Sequence, residues 1–138
     1  MFEKSLLTIL TAAGVFLAGF TSTAQAAQNR VYELRTYTAV DGKLDDLLTR
    51  FRNHTVKLFE KHRMKNIGYW IPQDDPLKKN TLIYVISHES REQAKKNWDA
   101  FRADPVWQKA RDASEANGKI VEKVESIFMD PADFSHLK

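Results

Sequence analysis

The residues best equipped for chemistry form one alternating strand set and one helical pair. Glu33, Arg35 and Tyr37 alternate along a strand-forming stretch and, with Trp70, Tyr84 and His88, make up a polar and aromatic constellation. Arg35 would need a partner if buried in mid-strand. It either grips an anionic substrate through its planar fork or pairs with Glu33 or another carboxylate. Tyr37 and Tyr84 can donate hydrogen bonds to a ligand oxygen, or pack by the ring and satisfy the hydroxyl at an edge. Trp70 and Trp107 offer aromatic walls for a flat apolar ligand, or serve as core or dimer contacts. His54 and His62 are the candidate general bases, with Arg35 or a tyrosine stabilising developing negative charge. They lie eight residues apart on one helical stretch, about 12 Å of rise, which is too far for a shared metal.

Other chemistries lack their residues. There is no cysteine, so no thiol nucleophile and no thiolate metal site. There is no H-x-x-H or H-E-x-x-H pair, no glycine-rich phosphate loop and no G-x-S-x-G elbow. Neither a metal nor a cofactor is expected. The net charge is +3. Lys57, Lys61, Arg63 and Lys65 make a basic cluster, but Asp45, Asp46 and Glu60 dilute it. It reads as a solvated face and not as a nucleic-acid footprint.

The elements that must position these residues follow from periodicity. Residues 30–38 are rich in strand formers, with Tyr32, Leu34 and Thr36 on one face and Val31, Glu33, Arg35 and Tyr37 on the other. Residues 43–63 read as an amphipathic helix, with Leu44, Leu47, Leu48, Phe51, Thr55, Leu58 and His62 at three- and four-residue steps. Asp41 is its candidate cap. Residues 66–71 and 81–88 read as two strands of a hairpin, the second an unbroken apolar run. Ser90-x-x-Gln93 is a capping box for a helix whose stripe is Ala94, Trp98 and Phe101. Asp104-Pro105 restarts a helix expected to turn Val106, Ala110 and Ala113 inward, and Asn117-Gly118 stops it. Residues 120–129 form the last strand.

This βαββαβ order is the α+β, ferredoxin-like arrangement, a four-stranded antiparallel sheet with helices on one face. The strands are apolar on both faces, whereas helices cover only one. A homodimer pressing sheet against sheet is the expected solution.

Ahead of this domain, residues 5–20 are an apolar run following Lys4, and Ala24-Gln25-Ala26 has the small-x-small pattern of signal peptidase sites. The run is shorter than the ~20 residues that span a bilayer. The expectation is a cleaved signal peptide at 1–26, a single domain at 27–138, a periplasmic or secreted protein, and no stable membrane anchor.

The chain resembles the NIPSNAP family, within the dimeric α/β-barrel superfamily. The resemblance rests on Tyr32-Glu33-Leu34-Arg35-Thr36-Tyr37-Thr38 followed by Gly42-Lys43-Leu44, on Gly68-Tyr69-Trp70, and on Asp104-Pro105-Val106-Trp107. It differs at Pro72-Gln73-Asp74-Asp75-Pro76-Leu77-Lys78-Lys79, where many members have a short glycine-containing turn. The resemblance implies a homodimer with a ligand pocket between helices and sheet. Arg35, Tyr37, Trp70, Tyr84, His88 and Trp107 are then the candidate lining residues for a small hydrophobic or aromatic molecule. Its alternative implication is an enzyme similar to the cofactor-independent monooxygenases, acting on an aromatic substrate, with binding the favoured reading.

Overall fold

The computed structural model describes residues 30–138; the expected signal peptide lies outside them. Four strands, β1 (Val31–Ala39), β2 (Lys65–Trp70), β3 (Thr81–His88) and β4 (Val121–Met129), form one antiparallel sheet in the order β2-β3-β1-β4. Between β1 and β2 runs one long helical segment. It comprises α1 (Leu44–Arg50), a π-helical turn (Phe51–Thr55) and α2 (Val56–Lys61). Helices α3 (Arg91–Ala103) and α4 (Pro105–Ser114) connect β3 to β4. The ferredoxin-like, α+β arrangement expected from the element order is the one observed.

Local rules explain most boundaries. Ser90 caps α3 by accepting from Gln93 N–H (3.0 Å), but the reciprocal half of the capping box is not made. The Gln93 amide instead donates to Asn97 (2.8 Å). Asp104 accepts from Val106 N–H (2.8 Å), and Pro105 starts α4 where its missing N–H costs nothing. Asp41 is not the cap of α1. Lys43 occupies that position, with no side-chain cap.

The core lies between the sheet and the helices. Leu47, Phe51, Leu58 and Phe59 meet Leu82, Tyr84 and Ile86 from the sheet and Trp98 and Phe101 from α3. Phe51 and Phe59 each pack against Tyr84, at ring-centroid distances of 5.2 and 5.8 Å. In α4 the inward residues are Ala110 and the partly buried Trp107, whereas Val106 is 54% exposed and Ala113 is exposed. The expected stripe is therefore rotated by one position. The large indole at 107 gains more from burial than the isopropyl group at 106.

Candidate functional site

Cross-strand register assembles the polar constellation. Glu33, Arg35 and Tyr37 point from β1 toward the helices. Arg35 lies opposite Tyr84 on β3 and Ser126 on β4, and His88 closes the end of β3. Glu33 is 1% exposed and is the hub. Its Oε2 accepts from His88 Nε2 (2.9 Å) and Trp98 Nε1 (2.8 Å). Its Oε1 accepts from Arg35 Nη1 (2.6 Å) and Ser126 Oγ (2.7 Å). Burial alone would raise this carboxyl. The donors from His88, Ser126, Trp98 and Arg35 outweigh burial and hold it at about 2, against an ordinary 4.5. On its other edge, His88 Nδ1 lies 3.2 Å from the Asn97 amide.

Arg35 is sandwiched by aromatic rings, its guanidinium carbon 4.2 Å from the Trp98 centroid and 5.5 Å from that of Tyr37. Burial would lower its pKa, but Tyr37, Tyr84 and Glu33 outweigh that, so the group stays cationic. Its Nε is buried with no partner among the described residues, and so is the Tyr84 hydroxyl. Burial pushes the Tyr84 hydroxyl well above its ordinary value, which keeps it a neutral donor. The arrangement can therefore offer N–H and O–H donors to an oxygen. The Glu33 carboxylate itself is saturated with four donors and is not free to accept another proton.

The remaining candidates lie apart. His62 donates from Nε2 to Asp104 (2.7 Å), which also receives Lys61 Nζ (2.7 Å). Those bonds from Lys61 and His62, with Val106 N–H, depress the Asp104 carboxyl far below its usual range. His62 is thus the anchor of a cap and does not reach Arg35. His54 is exposed on the π-helical turn. Trp107 stacks on Phe101 with centroids 4.5 Å apart, in the helical layer.

Trp70 does not join the constellation. A bulge between Asn66 and Gly68 shifts the register of β2, so Tyr69 pairs with Tyr84 on the helix side and Trp70 with Ile83 on the open side. Its indole lies over Gly68, where an added Cβ would come within 2.5 Å of the ring. It is 52% exposed. The space expected to hold a ligand between helices and sheet is filled instead by Phe51, Phe59, Tyr69 and Tyr84.

An apolar groove of about 560 Å³ occurs on the opposite, open face of the sheet. Tyr32, Ile67, Trp70, Val85 and Met129 form its floor and walls, and the segment 130–138 arches over it with Phe134 and Leu137. Tyr32 donates its hydroxyl to Lys138 O (3.0 Å), and Lys138 Nζ donates back to Ala132 O (2.8 Å) and Asp133 O (2.7 Å). These bonds tie the segment into a hook.

Trp98, Ser126, Asn97 and Asp104 were not singled out as site residues by the sequence reading. The signal for Trp98 was available, because a buried indole requires a partner for its N–H. Ser126 has no such signal, since its role depends on the register of β4 against β1.

Comparison with known proteins agrees with this architecture. The NIPSNAP family model matches residues 32–136. A NIPSNAP family protein of unknown function from Agrobacterium tumefaciens superposes with a TM-score of 0.69 at 22% identity, covering 82% of this chain and 97% of that one. An uncharacterized NIPSNAP domain protein from Burkholderia xenovorans gives 0.64 at 21% identity, covering 76% and 97%. A monooxygenase from Streptomyces coelicolor, solved in complex with nanaomycin D, shares the fold at a TM-score of 0.55 and 13% identity, covering 80% and 95%. No curated protein matches the chain. The match over nearly the whole described domain, on the predicted sheet and helices, shows that the chain belongs to the NIPSNAP family.

Proposed function

We propose that this NIPSNAP protein is exported, pairs with a second copy through the open face of its sheet, and binds a small hydrophobic or aromatic molecule without turning it over. The observation that carries the binding reading is the open-face groove. Its volume of about 560 Å³ lies within the range of small-molecule sites. Trp70 and Phe134 supply aromatic surface, and Tyr32 supplies a polar tip. Pairing is supported by apolar side chains left exposed on the same face, above all Ile127 at 58%. Export rests on the pattern of residues 1–26.

Native mass spectrometry of protein recovered from the periplasm, with Trp70→Ala and Phe134→Ala beside the wild type, tests this reading. A retained small molecule in the wild type, depleted in both variants, is the expected result. Ligand-free protein in every preparation would refute it. Sedimentation at micromolar concentration tests pairing, and a lone folded protomer would count against it.

A second reading, a cofactor-independent monooxygenase-like enzyme, draws on one observation: the unpartnered Arg35 Nε and Tyr84 hydroxyl. Both lie beneath the aromatic rings that fill this space, so a substrate oxygen would reach them once those rings move aside. Oxygen consumption with an aromatic phenol, abolished by Tyr84→Phe, would favour it over simple binding.

A further inference from the structure

The open-face groove is unfinished as a binding site. Tyr32, Ile67, Val85 and Met129 give it a largely apolar floor. Its sides stay in water: Trp70 is 52% exposed, Leu137 54% and Phe134 86%. Small-molecule sites usually bury at least about 70% of the ligand's surface. One protomer supports a guest from below and along one edge, and leaves much of it wet.

The apolar floor also continues beyond the groove. Alternation along β3 puts Ile83 on the same face as Val85, and alternation along β4 puts Ile127 on the same face as Met129. Leu34 of β1 lies opposite both Val85 and Ile127. Ile127 is outside the groove lining and 58% exposed, so the segment 130–138 leaves this part of the face bare. The charges that β4 places beside it are Lys123 and Glu125, which pair with each other (2.9 Å) and cancel. A patch with one charge of each sign does not repel a copy of itself. A two-fold axis can set Lys123 of one copy against Glu125 of the other.

We infer that the groove is a composite site. A second copy, seated on Leu34, Ile83 and Ile127, supplies the wall that a single protomer lacks, so pairing and capture of an apolar guest are one linked equilibrium. This rests on the binding and pairing reading above and adds the coupling between them. Phe134 finds its role in this arrangement. It is the most exposed large apolar side chain among the described residues, and the hook holds it at the rim of the groove, where the second copy would cover it. Coupling is reciprocal: whatever factor pairing adds to the affinity for the guest, the guest returns to pairing.

The probe for the test is N-phenyl-1-naphthylamine, a neutral aromatic whose emission rises in apolar surroundings. Ile127→Glu lies off the groove wall and puts like charges at the contact, while its exposed position leaves the fold intact. This variant should sediment as a lone protomer. It should bind the probe at least about tenfold more weakly than the paired wild type, the worth of only ~55 Å² of apolar burial. Dilution of the wild type through its pairing equilibrium should weaken the probe in the same way, and saturating probe should drive sedimentation back toward pairs. A lone protomer, variant or diluted wild type, that binds the probe as tightly as the pair would overturn the composite site while leaving the binding reading intact. An Ile127→Glu protein that still pairs would put the interface elsewhere and overturn it too. A wild type that takes up no probe at any concentration would remove the binding reading itself, and this inference with it.

Discussion

Arg35 and Arg50 are built from the same parts and end in opposite situations. Each is buried, each faces a tryptophan ring, each has one carboxylate partner, and each has an unpartnered Nε. The difference lies in the carboxylate and its surroundings. Glu33 is enclosed on a sheet and receives three further donors, so Arg35 belongs to a rigid network packed under aromatic rings. Glu115 sits at the end of α4 with its side chain 33% exposed, and Arg50 borders a cavity. A buried arginine therefore does not by itself indicate a ligand.

The strongest way to break this comparison is to remove the Glu33 carboxylate. Glu33→Gln should destabilise by about 3–5 kcal/mol, because Arg35 would be left buried without its counter-charge. Chemical denaturation measures this. A loss below about 1 kcal/mol would mean that the network does not hold the fold.

Acid provides the next test. The Glu33 carboxyl is depressed to about 2 from an ordinary 4.5. Its contribution is therefore complete above pH 4.5 and disappears as pH falls from 4.5 toward 2. The expected loss across that window is on the order of 2–3 kcal/mol. Glu33→Gln should remove this part of the pH dependence. An identical acid profile in wild type and variant would contradict the assignment to Glu33.

Gly68→Ala sharpens the comparison of the two sheet faces. The new methyl group would collide with the Trp70 ring, so the half-exposed indole should swing away, changing its fluorescence at a stability cost of about 1 kcal/mol. Spectra that match the wild type would place the indole elsewhere. A comparably small effect is expected at the helical carboxylate. Glu115→Gln should cost about 1 kcal/mol, less than Glu33→Gln, since Glu115 is one-third exposed and water can partly replace it beside Arg50. Thermal melts of Glu115→Gln and Glu33→Gln side by side should therefore differ widely, and equal shifts would erase the distinction between the two arginines.

Several parts of the site were legible in the chain. Strict alternation placed Glu33, Arg35 and Tyr37 on one strand face, and β1 has no irregularity until Thr38–Ala39, so the inference survived. Trp98 and Phe101 followed from helical spacing, and Asp104-Pro105 from the chemistry of a helix start. Trp70 lies apart from the other members of the constellation because one extra residue in β2 reverses its facing, and Gly68, a glycine inside a strand, was the available signal of that bulge. His62 had the spacing of a core or catalytic residue, but its partner, Asp104, is far along the chain. The Arg50 cavity was not foreseen, since it depends on a π-helical turn and on which α4 residues come opposite it.

The sequence by itself determined the order of elements, their caps, and which residues of β1 share a face, because these depend on steric and hydrogen-bonding preferences within a few residues. Only the tertiary structure decided that Glu33 is the hub, that aromatic rings fill the space beneath the sheet, and that Arg50 is buried between the long helical segment and α4 with Glu115 as its partner. Those outcomes depend on register and packing between segments distant in sequence. There a shift of a single residue exchanges an inward side chain for an outward one.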